Sequence, residues 1–343
     1  MARQSTIETR NSPRGAGNPR KGNDDMEEQT AVIAAALGVG GQEVVGVTPR
    51  EVALGVFAAG YRAGFRFEGR KTLLLGETEA AEDIAALLQE AGAEVRVAVR
   101  TRDGDLPADP FGGGVQYLVD ATCPEGAEDV YPAPDLDAFP TLEGVLDLTV
   151  LPLRTRLLLA AEEKDLLSCG GLYMAVSSCA VHAGAGRGVP LGADKIEAAY
   201  RRLLLGYANL GVTGLRGDGA EPVAKALSRL TRRPIVRVPN REEGLAILGE
   251  ATGKLLLMEE GLAENPRALY PAARNSRLIF LSRPLDEVRE AGDAAVGTLA
   301  RYRALLPAYA AFCDRTYEYR GDPLATAEAI YADFRREPYL RRN

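Results

Sequence analysis

The stretch GLRGDGAEP, residues 214–222, has the glycine spacing of a phosphate-binding loop, with Gly214, Gly217 and Gly219 in place. In such a loop, backbone N–H groups cradle phosphates, a lysine neutralises the β- and γ-phosphates, and a Ser or Thr hydroxyl holds Mg²⁺. Here the lysine position is Ala220 and the hydroxyl position is Glu221, followed by Pro222. Alanine cannot neutralise a phosphate, and a glutamate adds negative charge at a helix start, where an anion would rest. Such a glutamate instead stabilises an empty helix end, so the loop is expected to be capped by Glu221 itself, and proline suits a first helical turn. The stretch reads as the remnant of a nucleotide loop, kept for its turn. A coincidence of three glycines is the alternative.

Other chemistry-bearing residues do not assemble into a set. His182, the only histidine, follows Cys179 by three residues. A lone Cys-x-x-His reads as core or helix surface rather than as a metal pair. The four cysteines have no metal-ligand spacing, and their scatter suits a reduced, cytoplasmic setting. Glu259 and Glu260 stand together at a strand end without a partner residue, and Glu162-Glu163 and Glu242-Glu243 read as solvated faces. No Ser/His/Asp or Cys/His set is present, so no catalytic residue and no metal site is assigned.

The elements that position these residues alternate. Residues 1–25 are polar and rich in Gly, Pro and Arg, and read as a disordered tail. Helices are predicted over 27–37 and 49–63. Strands at 72–76, 94–100, 115–122 and 144–150 then alternate with helices at 79–91, 155–164, 171–183 and 193–207. That order predicts a parallel, doubly wound, Rossmann-like sheet over 26–207. A second alternation over 208–343 predicts a smaller α/β domain. Its strands fall at 209–214, 234–238, 254–258 and 277–282, and its helices at 220–231, 284–290, 295–313 and 323–336. The glycine turn lies between its first strand and first helix, where a phosphate loop belongs.

Two resemblances follow from these pieces. DLTVLPLRTRLLLAAEE (147–163) is similar to the shikimate dehydrogenase segment D-L-x-Y-N-P-x-x-T-x-L-L, with Asp147, Leu148, Pro152, Thr155, Leu157 and Leu158 matching. DATCPEG (120–126) resembles that family's N-A-T-P-x-G, and GGLYMAVSSCAVHAGAGRGVP (170–190) resembles its G-L-x-M-L-V-x-Q-A helix. The stretch 46–76 resembles the run from G-x-N-T-D to the cofactor glycines, so the pieces are collinear over 46–205. Over 209–320 the chain resembles shikimate kinase, with a P-loop-kinase-like α/β unit implied. The order resembles that of fused shikimate-pathway proteins.

The resemblance implies a site that the residues do not complete. The dehydrogenase family reduces 3-dehydroshikimate with NADPH, using a Lys from an N-terminal substrate domain and an Asp in N-T-D. Only 45 residues precede Gly46, and N-T-D reads Thr48-Pro49-Arg50. Arginine stays charged and cannot act as the carboxylate does. The family's Tyr near the nicotinamide is Val150, and the Gln of its M-L-V-x-Q-A helix is Ser178. Its G-A-G-G-A turn reads Gly76-Glu77-Thr78-Glu79-Ala80, which sets two carboxylates where a pyrophosphate would rest. Arg100 and Thr101 match the residues that grip the 2′-phosphate of NADP, with the polar end of a strand as the simpler reading of Arg100. In the kinase half, the D-x-D pair reads Arg237-Val238-Pro239, the GGG reads Glu259-Glu260-Gly261, and only 15 residues separate strands 234–238 and 254–258. The expected remnant sites are therefore Gly76, Arg100 and Thr101 for a weakly held NADP, and Gly214, Gly217 and Gly219 for a loop not expected to bind ATP.

Composition limits the partners. Lys+Arg 41 against Asp+Glu 48 gives a net charge of −7, which argues against a nucleic-acid partner. No apolar run reaches membrane-spanning length. The leading expectation is a cytoplasmic, shikimate-pathway-related pseudoenzyme with degenerate sites, regulating or scaffolding a pathway enzyme. The alternatives are a divergent NADP-dependent dehydrogenase or bifunctional enzyme whose substrate domain comes from another chain, and a nucleotide sensor acting through Arg100.

Overall fold

The computed structural model describes residues 19–100, 105–122, 135–215, 219–284 and 295–336. Five short apolar segments form a parallel sheet: β1 (Lys71–Leu75), β2 (Glu94–Ala98), β3 (Tyr117–Asp120), β4 (Gly144–Asp147) and β5 (Leu167–Gly170), in the order β2-β1-β3-β4-β5. Side chains alternate across a strand. Leu74, Val119 and Leu146 accordingly enter one buried layer, and Leu73, Leu75, Leu118 and Val145 enter the other. Helices α2 (Pro49–Ala63), α3 (Glu79–Glu90) and α5 (Gly171–Arg187) contribute to the first layer, and α4 (Arg156–Glu163) to the second.

A second parallel sheet follows α6 (Ala193–Tyr207). Its strands are β6 (Asn209–Gly214), β7 (Ile235–Val238), β8 (Leu255–Met258), β9 (Ser276–Ser282) and β10 (Arg315–Glu318), in the order β10-β9-β6-β8-β7. Helices α7 (Ala220–Thr231), α8 (Glu242–Glu250), α9 (Leu269–Ala273), α10 (Ala295–Phe312) and α11 (Pro323–Arg336) connect and cover it. Leu210, Val212, Leu255 and Ile279 face one layer; Leu256, Met258, Leu278 and Phe280 face the other. The α/β architecture expected from the alternation, a doubly wound Rossmann-like sheet followed by a second α/β unit, is the one observed.

Several local features differ from expectation. Helix α1 (Pro19–Leu37) begins inside the stretch read as a tail, with Pro19 at its first position, where a missing N–H leaves no helical bond unmade. Residues 1–18, and those of the expected helix at 285–290, lie outside the described residues. The sequence does not predict strands β5 and β10 or helix α8. Helix α8 fills part of the interval between β7 and β8 that the sequence leaves without one.

One apolar cluster joins helices of the first unit to the second sheet and its helices. It takes Ile33, Ala34 and Leu37 from α1, Val176 and Ala180 from α5, and Leu203 from α6. From the second unit it takes Leu210 and Val212, Val223 and Leu227 of α7, and Phe334 of α11. A polar junction reinforces it. Buried Arg154 donates to Ala273 O from both Nε (3.1 Å) and Nη2 (2.7 Å), and from Nη2 to Ser276 O (3.0 Å). The Leu153 N–H donates to Asn275 Oδ1 at 2.8 Å, and the Arg154 N–H to Arg274 O at 2.9 Å.

Helices α2 and α5 cross at Gly55. A Cβ there would overlap Ser178 Oγ and stand 2.6 Å from Met174 O and 2.9 Å from Ser178 N. Two of those contacts are main chain, so the neighbour cannot rotate away. Gly55→Ala is therefore expected to destabilise the protein by roughly 1–3 kcal/mol, the usual range for overpacking, although alanine is the better helix former. Chemical denaturation that shows a stabilised variant would refute the crossing.

Candidate functional site

Ligands of parallel α/β sheets bind at the carboxyl edge of the strands. The second sheet carries a cleft of about 520 Å³ there. It is lined by Gly214 and Leu215 at the end of β6, Gly219, Ala220, Glu221 and Pro222 at the start of α7, Arg237, Met258 to Glu260 at the end of β8, and Tyr319 after β10. That volume is in the range of small-molecule pockets. Three of the sequence-predicted groups, Glu221, Glu259 and Glu260, do converge on it. Gly217 lies outside the described residues.

Glu221 does something other than expected. Helix α7 starts at Gly219, which takes the left-handed φ of 80° and gives no side-chain cap. Glu221 does not cap the helix end. It bridges Lys225 Nζ, one turn on, and Arg237 Nη2 of β7, both at 3.0 Å. The reason is geometric: these two cations flank it, and an i,i+4 Glu–Lys pair faces one side of a helix. The Lys225 ammonium and then Arg237 hold the Glu221 carboxyl below the usual carboxylate range. Glu259 Oε2 accepts the Asn240 N–H at 3.0 Å. The Tyr319 ring presses on Gly219 so closely that a Cβ there would overlap it. Loop glycines serve phosphates by letting the backbone approach. Here an aromatic ring takes that approach instead. Among the described residues of the loop, Ala220 and Glu221 supply neither the lysine nor the hydroxyl that a Mg²⁺-nucleotide uses.

The first sheet has its own edge. Gly76 follows β1 with φ 145°, and a Cβ on it would stand 3.1 Å from Ala121 O. Thr78 caps α3, its Oγ1 accepting the Ala81 N–H at 3.2 Å, and Glu77 and Glu79 are exposed beside it. Arg100 is buried, and its Nε donates to Asp120 Oδ2 at 3.1 Å, with Nη2 on the same oxygen. Asp120 Oδ1 also accepts from the Thr122 hydroxyl (2.6 Å) and N–H (3.1 Å). Neighbouring Asp147 accepts from the Thr155 hydroxyl at 2.6 Å and the Thr149 N–H at 2.9 Å. Burial, followed by the charge of Asp120, pushes the Asp147 carboxyl up to about 6. A 2′-phosphate reaching Arg100 would have to displace Asp120 from a buried pair. Thr101 lies outside the described residues.

The other dehydrogenase-like positions serve packing. Thr48 and Glu51 form a reciprocal cap: Glu51 Oε2 accepts the Thr48 N–H at 2.7 Å, and Thr48 Oγ1 accepts the Glu51 N–H at 3.3 Å. The same Glu51 oxygen meets His182 Nδ1 at 2.9 Å, which ties α2 to α5. Arg50 pairs with Glu90 on the surface. Ser178 is buried with its hydroxyl on Met174 O, and Val150 packs against the shared core. Sequence reasoning misses the Arg100–Asp120 pair, the burial of Asp147 beside it, Arg237 as a partner of Glu221, and Tyr319. Arg237 and Asp147 stand at motif positions, but their partners lie on other elements. Among the described residues, no group of His, Cys, Asp and Glu is placed to hold a metal ion, and no helix is long and apolar enough to cross a membrane.

No protein-family model matches the chain, and no curated protein matches it. Among solved structures, it is similar to shikimate dehydrogenase 1 from Peptoclostridium difficile (19% identity, TM-score 0.38), covering 45% of this chain and 60% of that one. It is also similar to shikimate 5-dehydrogenase from Thermus thermophilus, solved with NADP(H) and shikimate (29% identity, TM-score 0.38), covering 44% and 62%. Shikimate kinase from Acinetobacter baumannii, solved with shikimate, overlaps 39% of this chain and 96% of its own at 15% identity and TM-score 0.33. The chain thus spans about three fifths of the dehydrogenases it matches.

Proposed function

We propose that this chain is a non-catalytic protein of the shikimate pathway, a regulator or scaffold for a pathway enzyme, built from a dehydrogenase-like and a kinase-like unit. The pathway assignment rests on the collinear dehydrogenase-like and kinase-like motifs. The non-catalytic role rests on one observation: at each sheet edge, a cation suited to meeting phosphate is held by a carboxylate of the same chain. Arg100 is held by Asp120, and Arg237 and Lys225 by Glu221. Such pairing lowers the positive potential that phosphate recognition needs.

Two measurements test it. Protein made in a host lacking its own shikimate dehydrogenase and shikimate kinase is expected to show no NADP⁺-dependent oxidation and no ATP-dependent phosphorylation of shikimate. Saturable turnover by that preparation would overturn the reading. Added to purified pathway enzymes, the chain is expected to co-sediment with one of them or change its rate; failure with all of them removes the regulatory role.

The loop itself gives a gain-of-function prediction. Ala220→Lys with Glu221→Ser adds a cation, removes the carboxylate that holds Arg237 and Lys225, and supplies a hydroxyl. With one cation more and one carboxylate fewer at the loop, a gain of at least about tenfold in ATP–Mg²⁺ affinity is expected. Calorimetry reads it. Tight ATP binding by the unmodified chain would mean a live nucleotide site.

A further inference from the structure

Strand β2 is an edge of the first sheet and pairs with β1 alone among the described residues. The Glu94 N–H donates to Arg70 O, and Ala98 O accepts the Gly76 N–H. With the parallel register Lys71↔Glu94 to Leu75↔Ala98, this turns the main-chain groups of residues 94, 96 and 98 toward β1. Those of Val95 and Val97 therefore point out of the sheet edge, and Val99 continues the run one residue past the strand. Val97 and Val99 are 55% and 47% exposed, although both are β-branched and apolar. Proteins guard such edges with charged side chains, proline or a bulge. The run EVRVAVR (94–100) carries Glu94, Arg96 and Arg100 but no proline, and its pairing with β1 over 94–98 has no bulge.

We infer that β2 is a self-association surface: two copies pair their β2 strands antiparallel about a two-fold axis through Val97. The choice of a second copy and of this register rests on complementarity along the edge. Centred on Val97, the Val97 residues exchange main-chain bonds with each other, and Val95 exchanges them with Val99 of the other copy. All the outward N–H groups of the run are then used, and the exposed valines face one another. Arg96 falls opposite Ala98, so no like charges stand directly across. Centred on Arg96, the two guanidinium groups would oppose each other, which is destabilising. Centred on Val95, the strand would need the Ala93 N–H, which already donates to Leu88 O at 3.0 Å, and Val99 would be left out. The result is a continuous ten-stranded sheet across two copies of a closed, isologous interface.

The test uses the full chain. Sedimentation from about 1 to about 100 μM, the weak end of specific association, is expected to show a monomer–dimer equilibrium. Hydrogen exchange at the Val95, Val97 and Val99 amides is expected to slow as concentration rises. Val97→Lys, checked for unchanged circular dichroism, is expected to weaken association at least about tenfold. Oxidation is expected to link Val97→Cys copies and not Arg96→Cys copies. A wild-type monomer at every concentration overturns the inference, whether the three amides exchange freely or stay protected by the chain's own segments. A dimer that tolerates both Val97→Lys and Val99→Lys overturns it as well.

Discussion

Arg154→Ala is expected to lower the stability of the whole protein by about 3–5 kcal/mol, the range measured when one partner of a buried ionic network is removed. The guanidinium is 4% exposed and belongs to the segment after β4, yet it donates to Ala273 O at the end of α9 and to Ser276 O at the start of β9. It also stands 3.3 Å from Glu162 and 3.9 Å from buried Asp314. Truncation leaves those carbonyls without their donor and takes a cation from two carboxylates in a water-poor layer. Each such loss is costly because the unmet group stays desolvated. Because the apolar cluster beside it draws on helices of the first unit and on the second sheet, the damage is not confined to one unit. Arg154→Lys keeps the charge but not the planar fork, and is expected to recover only part of the loss. Urea unfolding checks both. A loss under about 1 kcal/mol for the alanine variant would mean that the apolar layer alone joins the units.

That junction shows what the sequence could and could not reveal. Leu73 to Leu75 and Leu255 to Leu257 announce buried strands by themselves, because a fully covered parallel strand reads as an apolar run. Thr48-Pro49 and Gly64 mark the ends of α2 by capping chemistry. β5 (LSCG) and β10 (RTYE) are four residues each and have neither an apolar run nor strict alternation. Helix α8 carries Gly244 and Gly249, which depress its helical signal, although Gly244 is buried against Pro239. Site residues failed for a different reason. Arg100 follows β2 and Asp120 ends β3, two strands separated by β1, and Glu221 meets Arg237 across a helix–strand connection. Charge type and motif position are legible; which charges neutralise which is a property of the sheet order. Glu221 fails to cap α7 because Lys225, one turn on, and Arg237, a strand neighbour that the helix's own residues do not announce, both hold it.

The first sheet's edge yields the second large effect, which is a dependence on pH. Asp147 is buried beside Asp120, and its carboxyl is raised from 3.8 to about 6. A raised carboxyl pKa means that the folded chain holds a proton that the unfolded chain has released, between about pH 4 and pH 6. Stability contributed by this group is therefore present at the acid end and falls as pH rises through that window. At 1.36 kcal/mol per unit, the loss is at most about 3 kcal/mol above pH 6. The carboxyls of Glu43, Glu221 and Asp333 are lowered and act in the opposite direction, so the wild-type curve alone hides the effect. Asp147→Asn removes it. The amide oxygen can still accept from Thr155 or Thr149, and its contribution does not change with pH. The difference in unfolding free energy, wild type minus variant, is expected to fall by about 2–3 kcal/mol from pH 4 to pH 7 and then level off. Unfolding in urea at steps of pH measures it, and a difference that stays flat or rises would contradict the burial of Asp147 beside Asp120. The physical sense of such a pair fits the proposed role. Asp120 is bound to Arg100, and Asp147 to two threonines. An edge of this kind offers a phosphate a buried, internally satisfied acidic layer, whereas binding would need an accessible cation.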